Sequence, residues 1–207
     1  VACFGDSAAR CMKAGFDFGA KNLSGAVLDE TGVIFDASIG HSGDMEKTFA
    51  RMLEQMRKNV PFERIRTFGL TGNITVNGIK TFDPVITSVE ANRFLGTACR
   101  NIFSIGCESF YLIRLDEQFN YSDHVVNSDC ASGTGGFIDQ QAERLGFTTP
   151  ELGLKAWEFG DRAPAIATRC AVFAKSDIIH AQARGFSKEA ICAGLCEGVA
   201  RNVLANT

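Results

Sequence analysis

The apolar residues of this chain run twice through the same order, short strands first and helices after, and few folds accommodate that repetition. In the first pass, residues 14–19 and 24–29 alternate or run apolar, Glu30-Thr31-Gly32 forms a turn, and 33–37 reads as a third strand. A helical pattern follows from Asp44, with Met45, Phe49, Met52, Leu53 and Met56 on one face and Ser42 or Asp44 as N-cap. Residues 66–70 read as a buried strand, and 90–101 as a helix after the Asp83-Pro84 break. The order restarts near residue 102, with strands at 102–105, 109–115 and 124–127 and a turn at 116–120. Helices are predicted at 136–145, 150–159, 172–183 and 188–205. Strands and helices mixed in this way make an α/β fold of two similar halves with mixed sheets. The boundaries read as an N-terminal extension at 1–13, a first half at 14–100 and a second half at 101–207, with a hinge near residue 100.

Composition narrows the function classes. The 207 residues are 45% hydrophobic and 22% charged, the balance of a packed globule. The net charge of −3 and the absence of a basic stretch argue against a nucleic-acid partner. No apolar run approaches the roughly 20 residues of a membrane span, and no secretory h-region opens the chain. The expectation is a soluble, cytoplasmic protein with no membrane partner.

Eight cysteines, at 3, 11, 99, 107, 130, 170, 192 and 196, are too dispersed for a disulfide framework, and none forms a CxxC pair. Most are expected to be small buried hydrophobes. Cys192 and Cys196 share one helix face among Ile191, Leu195 and Val199, which reads as core packing, and Cys99 and Cys107, flanking a strand, read as core too. His41, His124 and His180 have no partner at ligand spacing and read as ordinary polar residues.

Two segments differ. In NSDCASGTGGF (127–137) a glycine-rich turn joins a strand to a helix, placing Cys130 where backbone N–H groups and the helix dipole favour an anion and lower a thiol's pKa. A plain strand-to-helix turn with an incidental cysteine fits the same glycine spacing. In TRCAVFAKSD (168–177), Cys170 again sits at a helix start, beside Arg169. Two thiolates cannot fill the four positions of a cubane cluster, but two chains could, with the cluster on a dimer axis.

NSDCASGTGGFIDQQAERLG followed by TRCAVFAKSDII resembles the activator (component A) of 2-hydroxyacyl-CoA dehydratases, in the BadF/BadG/BcrA/BcrD ATPase family, whose pattern reads roughly NDKCAAGTGRFLE and then CAVFAESEVI. The resemblance runs from about Gly15 to the end. It implies an actin-like ATPase fold of two ribonuclease-H-like halves. It also implies a homodimer holding one [4Fe-4S] cluster, with Cys130 and Cys170 of each subunit as ligands. ATP with Mg would drive low-potential electrons into a partner 2-hydroxyacyl-CoA dehydratase or acyl-CoA reductase, an anaerobic chemistry.

The nucleotide loops depart from that pattern. Against the family's DxGSTTTK this chain has DFGAKNLS (17–24), keeping Asp17 and Gly19 but losing the hydroxyl run, with Lys21 placed earlier than the family lysine. Against DIGGQDSK it has SIGCESFY (104–111), keeping Gly106, with Glu108 near the lost acid. Gly133, Thr134 and Gly135 complete the expected nucleotide contacts. The family's adenosine-binding Gly-Gly turn has no counterpart, so the second half reads as ending before it. The eroded loops leave two further classes open. One is a non-hydrolysing scaffold or regulatory domain that keeps the fold. The other is a small-molecule kinase of the same superfamily, of N-acetylglucosamine-kinase type, which would need a catalytic Asp and no iron.

Overall fold

The structure is a computed structural model, describing residues 11–72, 74, 78–126, 134–168 and 170–205. It divides into two compact units, the first ending at Ala91 and the second beginning at Asn92.

The N-terminal unit is a four-stranded mixed sheet backed by one long helix. Strands β1 (Met12–Phe18), β2 (Asn22–Asp29), β3 (Gly32–Gly40) and β4 (Ile65–Gly72) lie in the order β3-β2-β1-β4, with β4 parallel to β1 and the other pairs antiparallel. Alternation decides which face is covered. Met12, Ala14, Phe16 and Phe18 of β1 are buried, with Leu23 and Val27 of β2, against Met52 and Met56 of helix α1 (Met45–Asn59). Phe49 of α1 meets the Phe16 ring edge-on at 5.1 Å. Gly25 lets the helix come close, because a Cβ there would lie 3.0 Å from the Met52 sulfur. Each buried methionine contributes about 1.5–3 kcal/mol. Asp44 caps α1 by accepting from the Lys47 N–H at 3.0 Å. Ser42, the other candidate cap, instead has a left-handed backbone (φ 46°) in the turn before it.

Helix α2 (Pro84–Phe94) corrects the helix read at 90–101. The Asp83-Pro84 pair starts the helix rather than breaking the chain. The Asp83 carboxylate accepts from the N–H groups of Val85 (2.8 Å) and Ile86 (3.2 Å), and proline suits a first turn that needs no N–H. Gly96, at φ 64°, ends the turn. Residue 101 begins a strand.

The C-terminal unit opens with an antiparallel meander of β5 (Asn101–Ile105), β6 (Phe110–Leu115) and β7 (Tyr121–Val126). Helices α3 (Gly135–Leu145), α4 (Thr149–Glu158), α5 (Ala171–Ala183) and α6 (Lys188–Leu204) follow. Leu145, Leu152, Ala174, Ile178, Ile191 and Leu195 meet in one core. The helix ends are specified locally. Gly146 closes α3 at φ 80°, Thr148 and Glu151 form a capping box on α4, and Ser187 accepts from the Ala190 N–H to cap α6. Lys188 donates from Nζ to the Leu145 carbonyl at 2.7 Å, tying α6 to the end of α3. Cys192 is fully buried, whereas Cys99 is exposed and Cys107 only half-buried, against the core placement read for that pair. Among the described residues no helix is long and apolar enough to cross a membrane.

The glycines of α6 admit the irregular segment 164–168. A Cβ at Gly194 would stand 2.3 Å from the Pro164 carbonyl oxygen, and one at Gly198 would stand 2.7 Å from that of Ile166. Thr168 Oγ1 donates to the Gly198 carbonyl at 2.7 Å. Gly194→Ala is therefore expected to force this segment off the helix and cost about 1–3 kcal/mol. A lowered urea midpoint with an unchanged m-value would record it.

Candidate functional site

Two places carry the chemistry read from the sequence, one in each unit. In the N-terminal unit a cavity of about 630 Å³ opens on the sheet face turned away from α1. A second carboxylate, Asp36, and a largely apolar wall including Leu28, Leu70 and Phe82 line this cavity, together with Asp17, Ser24, Ser38, Thr71 and Thr87. The strand register makes these polar residues a row. Asp17 pairs with Ser24 on β2, Ser24 with Ser38 on β3, and Asp17 with Thr71 on β4. Ser24 and Ser38 share a hydroxyl–hydroxyl bond of 3.0 Å, while Thr71 and Thr87 of α2 stand 3.5 Å apart.

Asp17 sits within this row at the end of β1. Burial pushes its carboxyl pKa up, and no donor among the described residues reaches it. The turn that follows is held by its own backbone. Gly19 N–H donates to the Asn22 carbonyl at 3.0 Å, and His41 grips both ends of the turn. The His41 Nε2 lies 3.2 Å from the Gly19 carbonyl, the His41 N–H donates to the Lys21 carbonyl at 3.0 Å, and Nδ1 accepts from Gly43 N–H at 3.0 Å. His41, an ordinary polar residue by sequence, is thus the anchor of this turn. Lys21 is exposed on it.

In the C-terminal unit the loop carrying Gly106 and Glu108 lies against the start of α3. Gly135 N–H donates to the Gly106 carbonyl (2.9 Å), Gly136 N–H to that of Cys107 (2.8 Å), and Thr134 Oγ1 also to Cys107 (2.6 Å). A Cβ on Gly136 would lie 2.7 Å from the Cys107 oxygen, so glycine there admits the loop. Two N–H groups that the sequence assigns to an anion are thereby occupied by carbonyls. Glu108 is exposed. Gly133 and Cys130 lie outside the described residues.

Cys170 is the N-cap residue of α5, half-buried, and its side chain makes no capping bond. Val172 and Phe173 beside it are 70% and 65% exposed. A sulfur at this end of a helix stands beside the positive pole of the dipole and the N–H groups of the first turn. The Cys192 thiol is the opposite case. Burial, with Cys196 and Glu189 nearby, pushes it up to about 11, and burial also raises Cys196, so both suit core rather than ligation. Among the described residues no three of His, Cys, Asp or Glu converge on a common metal position.

Sequence reading found Asp17 but missed Ser24, Ser38, Thr71 and Thr87. Their signal was the period of two, since Ser24 and Ser38 fall on the strand positions opposite the buried Leu23 and Ile39 side. Only the register aligns them with Asp17.

The profile of the BadF/BadG/BcrA/BcrD ATPase family matches residues 90–207, more than half of the chain, and the chain belongs to this family. It is 35% identical over 123 residues to the uncharacterized Escherichia coli protein YjiL, a match covering 58% of this chain and 48% of that one. It is 35% identical over 107 residues to the activator of lactoyl-CoA dehydratase from Anaerotignum propionicum, covering 52% and 41%. These matches span about half the length of either relative or less. The fold is that of the activator of the 2-hydroxyisocaproyl-CoA dehydratase from Clostridium difficile, solved with bound ADPNP (TM-score 0.85, 24% identity, 94% of this chain and 74% of that one). That places the chain in the actin-like ATPase fold.

The raised Asp17 carboxyl has a consequence for stability. Its folded pKa lies above the unfolded one, so the stability it supports is present below about pH 4 and is lost as pH rises through the folded value. Asp17→Asn is expected to melt above the wild type at pH 7, with the gap closing below about pH 4. Thermal melts at both pH values check this, and an Asn variant melting lower at pH 7 would show the carboxylate to be compensated.

Proposed function

We propose that this chain is an activator-type module that binds a Mg-nucleotide at Asp17 and delivers low-potential electrons to a CoA-thioester dehydratase or reductase. The observation that carries the reading is the family match over 90–207, which includes both cysteine motifs. The relative named as a lactoyl-CoA dehydratase activator and the ADPNP-bound structure support the partner class and the nucleotide.

An iron–sulfur cluster shared between two copies would be held by Cys130 and Cys170 of each. Cys170 offers a half-exposed sulfur at a helix N-terminus, uncommitted to a cap, with exposed apolar residues around it suited to burial in a homodimer. Cys130 supplies the second thiolate of each copy. Four such thiolates would hold a [4Fe-4S] cluster, which when bound would supply reversible one-electron chemistry at low potential. Val172 and Phe173, exposed beside Cys170, would exclude water from the sulfur ligands when two copies meet. On the nucleotide side, Asp17 would hold the magnesium charge, with Gly19 and Lys21 of the following turn toward phosphate, and the resemblance assigns Gly106, Glu108, Gly133, Thr134 and Gly135 to nucleotide contacts as well.

A second reading, a scaffold that binds nucleotide without turning it over, is favoured by one observation. The Gly106 and Cys107 carbonyls already hold the Gly135 and Gly136 N–H groups, and Ser104 stands where the family pattern has an acid. Slow hydrolysis in a cluster-bearing chain would reconcile both.

Anaerobically purified full chain is expected to carry about two iron and two sulfide per subunit in a dimer, as a shared cubane requires. Cys170→Ala and Cys130→Ala are each expected to lose that iron while remaining folded by circular dichroism, with a lower melting midpoint because the bound cluster no longer stabilises the native state. A folded monomer without iron, or a Cys170→Ala protein with unchanged iron, would overturn the cluster assignment.

A further inference from the structure

We infer that the outer face of α4, with Leu154 and Trp157 at its centre, is a docking site for a partner protein. It takes an amphipathic helix whose apolar stripe is flanked by lysine or arginine. Neither the nucleotide reading nor the cluster reading uses this face, and both stand or fall without it.

Helix α4 is apolar on two sides. Leu152 points inward and is buried in the core with Leu145, Ile191 and Leu195. On the outer side Pro150, Leu154 and Trp157 follow one another at the i, i+4, i+7 spacing of a single helix stripe, and all three are exposed. Leu154 is 61% exposed, and Trp157, the chain's sole tryptophan, is 89% exposed. An indole contributes to stability only where its apolar body is buried, so this one does nothing for the fold. Together the two side chains open on the order of 300 Å² to water, the size at which an apolar patch on a monomer marks a binding surface. Gly153 sits beside the stripe, where an added Cβ would meet nothing within 4 Å. The absent side chain leaves the α4 backbone approachable next to the indole, and how near two helix axes come depends on the side chains at the contact.

Charge decides what covers this face. Lys155, the one basic residue of α4, is turned away from it, 3.3 Å from Glu189 of α6 and with its ammonium 5.4 Å from the centre of the Phe147 ring. Glu151 and Glu158, two turns apart, are exposed along one flank of the stripe. Hydrogen bonds from the Thr148 N–H and hydroxyl hold the Glu151 carboxyl below its usual range, so it is charged at neutral pH. Asp161 and Arg162, just beyond the helix, offset one another. The face is therefore apolar with an acidic edge. Two copies meeting on it about a two-fold axis would set glutamate against glutamate. An anionic lipid surface is repelled by the same edge. A second protein's helix with basic residues beside its apolar stripe satisfies both the apolar area and the carboxylates. Tryptophan is also among the residue types that carry binding energy at interface centres.

The single tryptophan makes the face its own reporter. In the full chain its emission is expected at the water-exposed maximum, with acrylamide quenching close to that of the urea-unfolded chain. The probe is a synthetic helical peptide without aromatic residues, leucine along one stripe and lysine on both flanks. Its addition is expected to shift the emission to the blue and reduce quenching. Anisotropy of a fluorescein-labelled copy gives the affinity. Trp157→Ala is expected to weaken it about thirtyfold, as at an interface hot spot, and Trp157→Phe, which keeps an aromatic body, to retain most of it. Glu158→Lys is expected to weaken it about fivefold and to flatten its dependence on salt. All three variants change exposed side chains and are expected to keep the wild-type circular dichroism spectrum. Equal binding of a glutamate-flanked peptide, or no binding of the lysine-flanked one at millimolar concentration, would overturn the proposal. So would a Trp157 already shielded from acrylamide in the chain alone. A blue shift that grows with protein concentration would give the face to a second copy, and one on phosphatidylserine vesicles would give it to a membrane; either result overturns the assignment.

Discussion

The two faces of β1 set what the N-terminal unit can do. Met12, Ala14, Phe16 and Phe18 point toward α1 and are buried, so Lys13, Gly15 and Asp17 must point to the other side. β1 pairs with both β2 and β4, and its register therefore dictates where residues of three strands stand relative to Asp17. A slip of one residue would bury the carboxylate under α1 and expose the phenylalanines, which the hydrophobic term forbids. The packing that stabilises the sheet thus also aims its functional face.

The C-terminal unit is organised by close backbone approach. Glycines at 135, 136, 194 and 198 stand where any side chain would strike a carbonyl or a neighbouring side chain. Through them the 106–107 loop closes onto α3 and the 164–168 segment lies across α6, leading to Cys170 at the start of α5. The core beneath is ordinary, and buried Cys192 belongs to it. What distinguishes Cys170 from Cys192 is position, since one sits at a helix N-terminus with exposed apolar neighbours and the other within a packed face.

Much of this was legible beforehand, for physical reasons that differ by element. The strands β1 to β3 and helices α3 to α6 are marked by strong periodicity and by caps that act within four residues, such as Asp44, Thr148 with Glu151, and Ser187. The α2 helix was misplaced because Asp83-Pro84 reads equally as a stop and a start, and only its later residues looked helical. The exposure of Cys99 and Cys107 and the bond from Lys188 to Leu145 depend on contacts between segments far apart in sequence. So does the role of His41, whose ring and backbone reach a turn twenty residues earlier.

The sequence by itself determined the fold class, the family and the two cysteine motifs, because those rest on local pattern and on residues at fixed spacing. It also located Asp17 and showed that the following turn had lost its hydroxyls. Only the tertiary structure decided which hydroxyls stand beside that carboxylate, contributed by β2, β3, β4 and α2. Strand register is set by which faces can be buried together, and that is a property of the assembled sheet rather than of any one strand.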